Sequence, residues 1–490
     1  MKKTLQQHLA PPITIAMLII NCLLPAISQA QITNLHVFAG NPDGEIPTGS
    51  LFYDATTAYL YGTTGAGGTI GGCANGFGCG TIYKIKPDGT GYLKMHDFPA
   101  SSTDGIYPCG SLTSDGTNLY GMTTIGGSST ICYGGCGTIF KITTTDTYTT
   151  IFNFTGTTSP PVGANPTNGS LVYVGTSFYG MTSLGGLNGM GTVFNITTGG
   201  AYTNLHSFGS TGDGSNPDGS LFYDGTNLYG MTSGGGSSTI CSGGCGTIFK
   251  ITTTGTYTTI FNFTGTTSPP VGATPFGSLV SDGTSFYGMT KNGGLNGKGT
   301  VFKITTGGAY TNLHSFGSTG DGSNPDGSLF YDGTNLYGMT NGGGSSTICS
   351  GGCGTIFKIA TTGLGYIKLV DFNGTNGANP YGGSLISNGT FLYGTTSGVA
   401  PPPEGQDNTG TAFQYHDCTL PLTISTDAVY NGSIWSSNIY STVTIGTIST
   451  NTITATTNQV FKFSSNTTVN GPFTSGTGGN TLNIVPTPCP

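Results

Sequence analysis

Eight cysteines fall into four short-range pairs: Cys73 with Cys79, Cys132 with Cys136, Cys241 with Cys245, and Cys349 with Cys353. A zinc site needs four ligands, and each pair lacks a nearby histidine. For a chain with an export signal, the expectation is a disulfide within each loop. Cys418 and Cys489 bracket the C-terminal stretch and are expected to staple it. Cys109 is left over, or competes for a partner in its neighbouring loop. Four of the six histidines, His36, His96, His206 and His314, each stand two residues before a phenylalanine. Such equivalent positions in a repeated fold lie apart on its rim, so solvated edge residues are expected rather than a metal or acid–base centre. The loops 213–219 and 321–327 carry closely spaced oxygen donors but lack the EF-hand pattern and its final bidentate Glu. They read as turns, and they are the best acidic candidates for a weak cation site. No paired carboxylates of a glycosidase can be picked out, and no cofactor or metal is expected.

These residues need a scaffold, and composition narrows its class. Charged residues make up 7% of the 490-residue chain, against a usual value of about 25%, while Gly, Thr, Ser and Asn abound. Gly and Thr disfavour helix, and Thr, Tyr, Phe and Ile favour strands, so an all-β fold is predicted. All 13 basic residues are Lys and the net charge is −7, which argues against nucleic acid as a partner. Lys2 and Lys3, the apolar run from Ile13 to Leu24 and the Ser28-Gln29-Ala30 site read as a signal peptide over residues 1–30. No later stretch reaches the roughly 18 apolar residues of a membrane helix, so no transmembrane segment is expected in the mature chain. Secretion or display at the cell surface follows.

The main organisation is a repeat. A GSL strand begins at Gly49, Gly110, Gly169, Gly219, Gly277, Gly327 and Gly383. Each is followed by a DGT-like turn, an LYGMT-like strand, a Gly-rich loop and a GTIFKI-like strand. A last strand ends at Phe98, Phe154, Phe208, Phe263, Phe316 and Phe372, and another such strand, Leu35 to Phe38, precedes the first GSL. Four strands per unit predict the blades of a seven-bladed β-propeller. The GTxF strand 410–413 has no Phe strand after it, so the N-terminal strand should complete the last blade and close the ring. The strands are apolar on both faces, as sheets stacked between sheets require. The recurrent Gly of the second strand, Gly62 to Gly394, is expected to admit the adjacent blade. Residues 200–251 recur at 308–359 with Ser233 replaced by Asn341, which suggests a duplicated two-blade unit whose copies share one structural role.

The pattern GSLxxDGTxLYGMTxxGG, GTxFKI and LHSF over residues 32–415 resembles the GloVer tandem repeat of Gloeobacter and Verrucomicrobia proteins. That resemblance implies export and a propeller-like repeat, without an established activity. After Cys418, short strands such as 441–445 and 460–463 resemble the three-coathanger stack, which implies a small C-terminal β-coil domain. The expected organisation is a signal peptide at 1–30, a propeller at 31–416 and a small β domain at 417–490.

In a four-strand blade, the cysteine-bearing loops and the segments leading into GSL emerge on the same side, whereas the opposite side has tight turns. Elaborated loops on a rigid scaffold tend to carry function. Tyr133, Asp218, Lys291 and Asp326 on that side are the candidate binding residues. Two functions compete: a non-catalytic binding or adhesion scaffold for an extracellular glycan or surface protein, and a carbohydrate-active hydrolase or lyase.

Overall fold

The computed structural model describes residues 32–68, 73, 78–99, 104–209, 212–317, 320–398, 409–417, 423–424 and 443–444. The expected signal peptide, almost all of the expected C-terminal domain, and Cys418 and Cys489 lie outside these residues. Among the described residues no helix is long and apolar enough to cross a membrane.

Seven antiparallel sheets follow one another along the chain; six add their strands in sequence order from the inside outward, and the seventh takes its outermost strand from the N-terminal end of the described residues. Blade 2 illustrates the pattern, with strands Gly105–Ser114, Asn118–Gly126, Thr138–Thr143 and Tyr148–Asn153. The second and third strands are mostly buried, because a neighbouring sheet covers each face. Blade 7 takes its three inner strands from Ile386–Ser387, Leu392–Thr396 and Thr411–Tyr415. Its outer strand is Ile32–Val37, which pairs antiparallel with Thr411–Tyr415 from Ile32 opposite Tyr415 to Val37 opposite Thr411. The N-terminal closure expected from the repeat count is therefore present, and it removes an open sheet edge.

The DGT turns work through their aspartates. Asp115 Oδ1 accepts hydrogen bonds from the amides of Thr117 and Asn118, and its Oδ2 accepts one from the Tyr120 hydroxyl at 2.7 Å. Each blade also carries a buried threonine pair joining its second and third strands, such as Thr123 with Thr138 at 2.9 Å.

The GSL motif builds the axis. A Cβ on Gly110, whose φ is +68°, would lie 2.1 Å from the Gly169 carbonyl oxygen, and similar close approaches run from blade to blade until Gly383 faces Gly49. Only glycine permits this approach and this backbone. The next residue forms a second ring. The amides of Ser50, Ser111, Ser170, Ser220, Ser278 and Ser328 each donate to the following serine Oγ, and Ser384 returns to Ser50, at 2.7–2.8 Å throughout. The second-strand glycines have a different role from the one expected. A Cβ on Gly121 would strike the Phe140 ring and Leu112 of its own blade, so the space belongs to the cross-strand aromatic and not to the adjacent blade.

The rim histidines are likewise not solvated edge groups. His206 Nε2 lies 3.0 Å from Asp213 Oδ2, and its ring stacks on Tyr257 of the next blade at 3.9 Å. His314 repeats this with Asp321 and Tyr366, and His36 with Asp43 and Tyr92. His96 stacks on Tyr148. Where phenylalanine replaces histidine, as in Phe152 on Tyr202 and Phe261 on Tyr310, Val162 or Val271 stands where the aspartate would be. Burial opposes the charge of Asp213 and Asp321, but hydrogen bonds from His206 and Tyr257, and from His314 and Tyr366, outweigh it and hold both carboxyls below the ordinary value.

Candidate functional site

Four disulfides close the loops as expected: Cys73 to Cys79, Cys132 to Cys136, Cys241 to Cys245 and Cys349 to Cys353. Cys109 is a buried free thiol that donates to the Pro166 carbonyl at 3.0 Å. The pairing of Gly105 with Gly126 sets the start of an inner strand beside the end of a second strand. The disulfide loops and the entry segments therefore leave the blade at the same end.

On that side of the glycine ring, one residue from each inner strand precedes the ring glycine: Thr48, Cys109, Asn168, Asp218, Phe276, Asp326 and Gly382. Elsewhere the blades are near copies, but at this position each repeat differs or carries Asp. Proximity to the axis brings residues of non-adjacent blades into contact. A Cβ on Gly382 of blade 7 would lie 3.2 Å from Asn168 Oδ1 of blade 3. Phe276 of blade 5 and Tyr381 of blade 7 have ring centroids 6.5 Å apart.

Lys291 enters this group from Ser285–Gly293, the second strand of blade 5. Its Nζ donates to Asp326 Oδ2 at 2.9 Å and lies 5.1 Å from the Phe276 centroid and 5.8 Å from that of Tyr381. Asp326 is only 1% exposed. Its Oδ1 and the Oδ1 of Asp218 are both buried without a hydrogen-bond partner among the described residues, while the Asn168 amide and the Gly219 N–H act on the Asp218 carboxyl and the Gly382 N–H on that of Asp326. Burial, with the Asp326 charge adding to it, pushes the Asp218 carboxyl up to about 7, against the opposing influence of Asn168 and Lys291. Burial also raises Asp326, and Lys291 offsets part of that rise.

Three of the four sequence candidates, Asp218, Lys291 and Asp326, thus meet at the axis. Tyr133 does not join them. It projects fully exposed from its disulfide loop and shares no contact with them among the described residues. The acidic loops also divide, because Asp213 and Asp321 face the blade interfaces while Asp218 and Asp326 face the axis. No cluster of three metal-ligating side chains occurs among the described residues. Asn168, Phe276 and Tyr381 were missed in the sequence. Their signal is position, since Asn168 and Phe276 directly precede a ring glycine and Tyr381 stands two residues before one.

A closed ring of near-identical sheets with one chemically varied mouth defines a seven-bladed β-propeller whose candidate site is axial. The Gloeobacter/Verrucomicrobia repeat matches residues 25–162, 132–350 and 241–469, and the chain belongs to that family. No curated protein matches the sequence. Among solved structures, the chain is similar to an oligogalacturonate lyase from Vibrio parahaemolyticus at 11% identity and a TM-score of 0.48, covering 80% of this chain and 94% of that one. It is also similar to a gluconolactonase from Xanthomonas campestris at 10% identity and a TM-score of 0.37, covering 79% and 89%. For TolB from Acinetobacter baumannii the values are 15% identity and a TM-score of 0.34, with 59% of each chain covered. None of these likenesses carries an argument about chemistry.

Proposed function

We propose that the protein is an exported binding scaffold that engages an extracellular glycan or surface protein through the face bearing the disulfide loops. Residues 31–416 form the propeller, 1–30 direct export, and 417–490 form a small β domain resembling the three-coathanger stack. The observation that carries the reading is the distribution of variation. Glycine, serine, threonine and aromatic positions repeat from blade to blade because they hold the ring together, whereas the position before the ring glycine, at the axial mouth, varies as Thr48, Cys109, Asn168, Asp218, Phe276, Asp326 and Gly382. Disulfide-closed loops around that mouth suit an oxidising compartment.

A second reading, hydrolase or lyase, gains support from one feature. Asp218 and Asp326 are coupled carboxyls in unequal surroundings, one of them titrating near neutrality, and such pairs divide acid and base roles in glycan cleavage. A panel of polysaccharides tested for retention and for released oligosaccharide separates the readings. Retention without product, weakened by Asp218→Asn or Asp326→Asn, supports the scaffold. Product formation abolished by either variant supports the enzyme and overturns the scaffold.

A further inference from the structure

Lys291 is seated in an unusual way. Its ammonium lies against one carboxylate, Asp326, and within 6 Å of two aromatic centroids, Phe276 at 5.1 Å and Tyr381 at 5.8 Å. A carboxylate together with aromatic faces is the composition that recognises an ammonium cation. No other blade offers a lysine at the equivalent second-strand position, where Gly65, Thr124, Ser183, Ser233, Asn341 and Ser397 stand. The seat is also over-provided with acceptors. Asp218 is a second carboxyl in the same electrostatic group, and the buried Oδ1 atoms of both aspartates lack donors. Lys291 is bonded to Asp326, while the hydrogen-bond donors acting on Asp218 are the neutral Asn168 amide and the Gly219 N–H, so the site has capacity for another cationic donor. Lys291 itself is one-third exposed, which leaves its side chain free to swing out of the mouth.

We infer that the axial mouth is an ammonium-binding site which Lys291 fills in the free protein, and that its ligand is a glycan bearing unacetylated amino-sugar units. The inference rests on the proposed binding face and adds the ligand class to it. The amino group would take the seat between Asp218, Asp326, Phe276 and Tyr381, with Lys291 displaced toward solvent. The Asn168 amide and the Tyr381 hydroxyl would then stand beside the sugar hydroxyls. A divalent cation fits less well, because the seat offers two carboxyls and two aromatic faces, and no cluster of three metal-ligating side chains occurs among the described residues. The groups that face Asp218 are Asp326, Lys291, Asn168, Tyr381 and the Cys109 thiol. Protonation of Asp218 would remove its attraction for the amine, so binding should weaken as pH falls through about 7.

The test uses the full chain and calorimetric titration with a glucosamine hexamer, its fully N-acetylated form, a neutral glucose hexamer and oligolysine. The expected result is binding of the glucosamine hexamer alone, about tenfold weaker in Asp218→Asn, as loss of a charged acceptor predicts. Lys291→Met should bind it several-fold more tightly because the seat is vacated. Thermal melting of each variant establishes that it is folded, and Asp218→Asn retains the test if Lys291→Met is not. Equal binding of the acetylated or neutral hexamer would overturn the amine assignment while leaving the scaffold reading intact. Preference for oligolysine would overturn the glycan assignment. Retention of none of the four, together with none of the wider polysaccharide panel, would remove the scaffold reading as well.

Discussion

The amide of Ser384 donates to Ser50 Oγ at 2.8 Å across a sequence separation of 334 residues. This bond joins blade 7 to blade 1 with the geometry that joins every other neighbouring pair, so the closure point is indistinguishable from the rest of the inner ring. The outer closure, through Ile32–Val37 on Thr411–Tyr415, acts at a larger radius on the same two blades. The ring is therefore latched twice.

Ser50→Ala should leave the Ser384 amide without its acceptor and cost about 1–2 kcal/mol in denaturant unfolding. Ser220→Ala should cost the same within error, since its bond is equivalent. Gly110→Ala should be far worse, because its Cβ would meet the next blade's backbone at a positive φ. A soluble, natively melting Gly110→Ala protein would contradict the glycine ring.

Phe38 is fully buried beside Tyr83 and ends the latch strand, whereas its neighbour Val37 is 47% exposed. Phe38→Ala should destabilise by about 3–5 kcal/mol and expose the Thr411–Tyr415 edge to proteolysis. Val37→Ala should stay within about 0.5 kcal/mol of the parent. Similar unfolding midpoints for the two variants would show that the strand does not close the ring.

The aspartates at the histidine interfaces have depressed carboxyl values, so their contribution is present above the ordinary value near 3.8 and is lost as pH falls through the lower folded value. Converting one interface to the alternative already used elsewhere in the chain, His314→Phe with Asp321→Val, should preserve the fold and flatten part of the acid unfolding limb. The single variant Asp321→Val should be the less stable, since it leaves His314 and Tyr366 without their acceptor. Urea midpoints followed from about pH 2 to about pH 7 read the difference.

Asp218 carries the opposite sign. Its folded value of about 7 exceeds the ordinary 3.8, so burial costs nothing below both values, destabilises progressively as pH rises from about 3.8 to about 7, and levels off above that. Asp218→Asn should therefore stabilise the protein by about 4 kcal/mol at pH 8 and by little near pH 2, where the carboxyl is protonated in both states. Equal effects at the two pH values would mean that the carboxyl is not buried with its charge opposed.

Much of this architecture was legible in residue order. Seven GSL strands against a Phe strand displaced to the N terminus required a ring closed by Leu35 to Phe38, because strand pairing leaves that edge no other partner of its kind. The Asp-Gly turns were legible because an aspartate caps amides only two and three residues away. The histidine pairs also had a signal that was overlooked. In three repeats an aspartate follows the histidine by seven residues, and where phenylalanine stands instead, valine takes the aspartate's place. The meeting of Asp218, Lys291 and Asp326 depends on the ring itself. Rotation about an axis holds equivalent residues far apart at the rim, so each pairs with the next blade. Close to the axis the same rotation moves them only a few ångströms, and side chains from blades 3, 4, 5, 6 and 7 enter one group. Local sequence contains no measure of that radius. The duplicated copies were expected to share one structural role, yet it is their two aspartates, set on either side of blade 5, that the closed ring brings into the field of one lysine.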